Sequence, residues 1–125
     1  MIEEKRENSK LRMQDSAEFI DSAKDNLKKE RFKAAVDHAI DGCIAANDAF
    51  TIQHLGKKAS ISHYEALDLH REASKKFDSS QTNNLRFLLD ERHKLTYRAI
   101  KATKEQAETD IKKAIDVISW IAEHI

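Results

Sequence analysis

The chain has no proline, two glycines, one cysteine and only 6% aromatic residues. With Gly42 and Gly56 alone, no glycine-rich phosphate loop of the P-loop or dinucleotide-binding kind is available. A chain so short of turn chemistry and so rich in helix formers points to an all-α fold. The single thiol, Cys43, excludes an intrachain disulfide, and its place on an apolar helical face reads as a buried, inert group. Formal net charge is zero, so no global field draws in nucleic acid or an anionic membrane. Any polyanion site must be a local patch. No apolar run approaches a membrane span, and Met1-Ile2-Glu3-Glu4-Lys5-Arg6 holds no stretch of signal-peptide length, so the chain reads as cytosolic with no membrane partner.

What is present fits one domain over residues 1–125, with 40% hydrophobic and 35% charged residues. Four long helices and a shorter one account for nearly all of it. The first runs from about Ser9 to Lys28 with Met13, Ala17, Ile20, Ala23 and Leu27 inward. After a tight corner at Lys29-Glu30, the second carries the stripe Phe32, Val36, Ala39, Ile40, Cys43, Asn47 and Phe50, and Gly56 stops it. Lys57 to Ile61 connect to Ser62-His63-Tyr64-Glu65, a capping-box spacing that opens a short helix to about Lys76 with Ala66, Leu69 and Ala73 inward. The polar loop Asp78 to Asn83 should hold the N-cap of the third long helix, which ends near Ala102. Thr103-Lys104-Glu105-Gln106 is a second capping box, and the last helix shows the face Ala107, Ile111, Ala114, Ile115, Ile118, Ala122 and Ile125. The expected architecture is an antiparallel four-helix bundle with an additional short helix between the second and third long ones.

One residue breaks the pattern. The third long helix has the stripe Leu85, Leu88, Leu89, Arg92, Leu95, Thr96 and Ala99, and Arg92 falls near its centre. A guanidinium keeps its charge, and burying it unpaired costs several kcal/mol. Either a carboxylate answers it (Asp41, Asp48 or Glu91, with Asn47 alongside), or the helix lines a cleft where the charge meets a ligand. His93 and Tyr97 stand four apart on a neighbouring flank. Arginine supplies fixed charge for a phosphate, histidine exchanges protons near neutrality, and tyrosine offers a hydroxyl. Asn47, in mid-stripe on the second helix, is placed to face Arg92. From Arg92 to Lys104 the chain holds Arg92, Lys94, Arg98, Lys101 and Lys104 before any acid, a patch that suits both a helix C-terminus and a phosphate.

Metal chemistry finds no pattern. The six histidines form neither His-x-x-x-His nor His-Glu-x-x-His, and Asp90-x-x-His93 is one half of what a di-iron bundle needs. Asp37, Asp41 and Asp48 lie on a flank about 100–140° from the second helix's stripe, where a solvated edge is expected. No metal and no cofactor are expected.

In the order and spacing of several short motifs, residues 14 to 123 resemble a HEPN domain (higher eukaryotes and prokaryotes nucleotide-binding). These are Arg31-Phe32-Lys33-Ala34-Ala35-Val36, Ala46-Asn47-Asp48-Ala49-Phe50 with Leu55-Gly56, His63-Tyr64-Glu65-Ala66, Arg92-His93-Lys94-Leu95-Thr96-Tyr97, and the helix opening at Thr103. The resemblance implies an antiparallel helical bundle, often dimeric. Active members of that family are metal-independent endoribonucleases, many of them toxins beside a small nucleotidyltransferase-like antitoxin. Carried over, Arg92 is the motif arginine and His93 its polar neighbour, while Tyr97 occupies the position of the catalytic histidine. Tyrosine, with a reference pKa near 10, is a poor base at neutral pH.

The leading expectation is a HEPN-like protein binding RNA, a nucleotide or a nucleotidyltransferase-type partner through a cleft of Arg92, His93, Asn47, Tyr97, Lys94 and Arg98, without strong catalysis. Alternatives are an endoribonuclease using Arg92, His93 and Tyr97, and an interaction module whose arginine is only a core ion pair. Trp120, expected on the outer side of the last helix with Val117 nearby, suggests a homodimer interface.

Overall fold

The computed structural model describes residues 1–60, 62–98 and 100–125. Its helices run long, long, short, long, long: α1 Asn8–Lys28, α2 Phe32–Leu55, α3 His63–Ser74, α4 Thr82–Tyr97 and α5 Lys104–His124. Two two-residue strands, β1 Ile2–Glu3 and β2 Lys57–Lys58, pair antiparallel with Ile2 opposite Lys58. The mostly helical expectation holds. The small ladder was not expected, because two residues show no alternation to read. No helix among the described residues is long and apolar enough to cross a membrane.

Helix α2 is the centre of the molecule, packing against α1, α5, α3 and α4. Every residue from Ala45 to Ile52 is buried, so this helix has no solvent face over two turns. Its corner with α1 places Glu30 at φ 58°, and its far end stops at Gly56 with φ 70°, where a side chain would strain the backbone.

The α1–α2 seam is closed by small residues. The Ser16 hydroxyl donates to the Gly42 carbonyl at 2.7 Å and the Ser9 hydroxyl to the Ala49 carbonyl at 2.8 Å. A Cβ on Gly42 would sit 3.2 Å from the Ser16 carbonyl oxygen. Ala17, expected inward, is exposed, and Ser16 takes the buried place. A serine that satisfies a facing carbonyl belongs in such a seam, although an apolar count passes it over.

Helix α5 is rotated from its expected face. Ala107, Ile111 and Ala114 are buried as expected, but Val117, Trp120 and Ile121 complete the core, while Ala122 and Ile125 are exposed. Trp120 is therefore no surface residue. It packs with Phe50 and Phe77, stacks on His124 at 4.1 Å, and donates its indole N–H to the Ser79 hydroxyl at 2.9 Å.

Both capping boxes form only one arm. Ser62 accepts from the Glu65 amide and Thr103 from the Gln106 amide. The reciprocal side chains go elsewhere, Glu65 to the Ser60 hydroxyl and Gln106 to Glu91. Helix α4 starts at the expected loop, but its N-cap Gln81 makes no side-chain cap. It also ends at Tyr97, five residues short of the expected end. After Leu95, residues 96–98 are all exposed, so none of these three anchors a further turn, and Arg98 turns extended at ψ 132°. Ile61 in the expected connector and Ala99 on the expected stripe lie outside the described residues.

Candidate functional site

Arg92 projects from α4 toward α2, where its Nη2 donates to Asp41 Oδ1 at 2.5 Å and to the Asp37 carbonyl at 2.8 Å. Asp41 is thus a half-buried partner and not a solvated edge. Asp48 is also no edge residue: it is buried beside Arg12, at 3.1 Å. Burial pushes the Asp48 carboxyl above its usual range, and Arg12 opposes that shift. Both contacts of Arg92 use one nitrogen. Its side chain keeps about a quarter of its surface exposed and borders a cleft of about 210 Å³ with Asn47, Asp48, His63 and Leu89.

Asn47 does not meet Arg92 as expected. Its Oδ1 accepts from His70 Nδ1 at 2.9 Å, and its amide donates to the Ala66 carbonyl. His70 Nε2 in turn accepts the Gln81 amide at 3.0 Å. With one ring nitrogen donating and the other accepting, the imidazole is neutral, and burial lowers its pKa to about 4. The sequence anomaly at Asn47 is a bracket that fastens α3 to α2 and to the start of α4.

Beside this cleft, and sharing His63 and Leu89 with it, a groove of about 560 Å³ runs between α3 and α4. Its walls carry His63, Tyr64 and Arg71 from α3 and Arg86, Asp90 and His93 from α4. Burial lowers the pKa of His63, with Arg92 and then His93 adding to the effect and Asp90 opposing it. The fields of Arg92 and His93 therefore converge on one imidazole. Arg71 is tied to Asp68 at 3.3 Å, which leaves Arg86 as the arginine of the groove with no carboxylate partner among the described residues. Tyr64 is 81% exposed at the rim.

The expected residues divide. Arg92 and Asn47 border the cleft and His93 borders the groove. Tyr97 lines neither, but its ring packs on His93 at 4.8 Å. Lys94 and Arg98 are exposed and border neither space. Sequence reasoning passed over His63, Arg71 and Arg86 as site residues. Arg86, Asp90 and His93 stand at i, i+4 and i+7, one helical face, and that spacing was available. His63 was visible as the first residue after a cap and in the His63-Tyr64-Glu65-Ala66 motif, but neither gave it a role in a site.

Among the described residues, no three His, Cys, Asp or Glu side chains are placed to hold a metal ion. No family model matches this chain, and no curated protein matches it.

Proposed function

We propose that this chain is a HEPN-like antiparallel four-helix bundle that binds an RNA segment or nucleotide along the α3–α4 groove and the adjoining Arg92 cleft, without strong catalysis. The observation that carries this reading is the junction at His63, where the groove of Arg86 and His93 meets the cleft of Arg92. Guanidinium groups provide planar donor forks for phosphate oxygens, and a rim tyrosine provides a face on which a base can stack. Binding of this kind weakens steeply with salt.

A second reading has its own support. His63 and His93 are two groups able to exchange protons beside a fixed positive charge, which is what metal-independent RNA cleavage asks of an endoribonuclease. In this reading Arg92 carries phosphate charge, His93 moves the proton and Tyr97 donates a hydrogen bond. Trp120 is buried and so offers no interface for the homodimer, which now rests on the resemblance alone. Sedimentation equilibrium measures it directly.

The test is a titration of fluorescein-labelled single-stranded RNA and of ATP in EDTA, with cleavage followed on a gel. Wild type should bind, and Arg86→Ala should weaken binding about tenfold without changing Tm, the size of one lost charge-assisted contact. No binding by wild type to either probe removes the reading. Cleavage that disappears in His93→Ala selects the endoribonuclease. Selective capture of a nucleotidyltransferase-like protein, with no affinity for RNA or ATP, assigns the groove to a protein partner.

A further inference from the structure

Behind the site, between α4 and α5, two carboxyl groups meet out of water. Asp110 is 1% exposed and Glu91 is 9% exposed. Both Asp110 oxygens are fully buried and receive no hydrogen bond from any N–H or O–H group among the described residues. The Glu91 carboxyl lies within hydrogen-bonding reach of Asp110, and its Oε2 also accepts from Gln106 Nε2 at 2.5 Å. The charged groups that reach Asp110 are Glu91 from α4 and Lys113 three residues along α5; α2, which packs against both helices, and α1, which packs against α5, bring none among the described residues.

A buried acceptor with no donor is costly, and two adjacent buried carboxylates repel. One proton resolves both difficulties, turning one acid into the missing donor and removing one charge. We propose that Glu91 and Asp110 share a single proton and so form a pH-sensitive clasp that holds the Arg92 end of α4 against α5, and that loss of this proton in mild alkali loosens that end.

The sign follows from the direction of the shift. Burial, and then Glu91, raise the Asp110 pKa to about 7, far above its value in an unfolded chain. Stability from the shared proton is therefore complete below about pH 4 and is lost as pH climbs to about 7. Asp110→Asn keeps a neutral donor at every pH. The gap in Tm between this variant and wild type should open from about pH 4 and stay constant above about pH 7.

The clasp also predicts where loosening occurs. At about pH 8.5, amides 88–97 should exchange hydrogen about tenfold faster in wild type than in Asp110→Asn, with the α1–α2 seam unchanged. Infrared spectra of wild type should show the carbonyl stretch of a protonated carboxylic acid at about pH 5.5 and lose it by about pH 8.5. Parallel Tm profiles overturn the proposal, as does equal acceleration of exchange in every helix. If Asp110→Asn does not fold, Glu91→Gln takes its place in both comparisons. Absence of the infrared band from wild type overturns the proposal without any variant. None of these readouts depends on RNA or nucleotide binding.

Discussion

His70 Nδ1 donates to Asn47 Oδ1 at 2.9 Å, so a buried imidazole on α3 completes the polar residue that interrupts the apolar stripe of α2. Removing either partner leaves a buried group unpaired. Asn47→Ala should cost about 2 kcal/mol by chemical denaturation, with the loss shared by α3 through Ala66.

The same imidazole sets an acid limit. Its folded pKa is depressed to about 4, so its contribution to stability is present above the unfolded value near 6.5 and is lost as pH falls to about 4. Over that window the loss should be on the order of 3 kcal/mol. Calorimetric Tm measured against pH should show a steeper acid decline in wild type than in His70→Gln. Equal slopes would place the titration elsewhere.

Arg92 has a competitor for any ligand, because Asp41 holds its Nη2. Asp41→Asn should remove a negative charge from the cleft and tighten RNA binding several-fold, at a stability cost of about 1 kcal/mol for a partly exposed pair. Binding that is unchanged in this variant, together with a more stable Arg92→Met, would assign the arginine to structure alone.

Cys43 should be inert while the chain is folded. Burial pushes its thiol to about 12, with only a partial offset from Arg92. Modification by a thiol reagent should follow the rate of unfolding and not the thiolate fraction at neutral pH. Fast labelling of native protein would contradict its burial.

At the α1–α2 seam, Gly42→Ala sets a gain in helix propensity of about 1 kcal/mol against a Cβ placed 3.2 Å from a backbone carbonyl. The carbonyl cannot swing aside as a side chain would, so the variant should be less stable by about 1 kcal/mol. Gly42→Val should fail to fold at ambient temperature.

The five helices were legible because four of their starts and stops use local chemistry. The Glu30 corner, Gly56, Ser62 and Thr103 act within a few residues of themselves. Arg92 was legible for a related reason, since one charge in an apolar stripe is visible without knowing its partner. The partner was narrowed to three carboxylates, and only packing distinguishes Asp41 among them. Asn47 went to His70 because both lie on buried faces of helices joined by a connector whose path no pattern gives. Trp120 was misplaced because Ile115 and Ile118 drew the apparent face of α5 around by part of a turn; both are only half buried. Glu91 stands at stripe spacing between Leu88 and Leu95, and Asp110 between Ala107 and Ala114, but a carboxylate in mixed sequence reads as surface unless a second acid is known to meet it.

The fully buried run of α2 from Ala45 to Ile52 also restricts how the length of the chain can change. Deleting one residue there would turn everything after it by about 100°, carrying Phe50 out of the aromatic cluster and Gly56 off its stop. No flank on this stretch faces solvent, so no neighbouring side chain can take over the lost contacts. Insertions and deletions should be tolerated at the exposed residues 100–101, between α4 and α5, and rejected here. Helix α2 thus works as a fixed ruler, and the distance between the α1 corner and the start of α3 is written in its residue count.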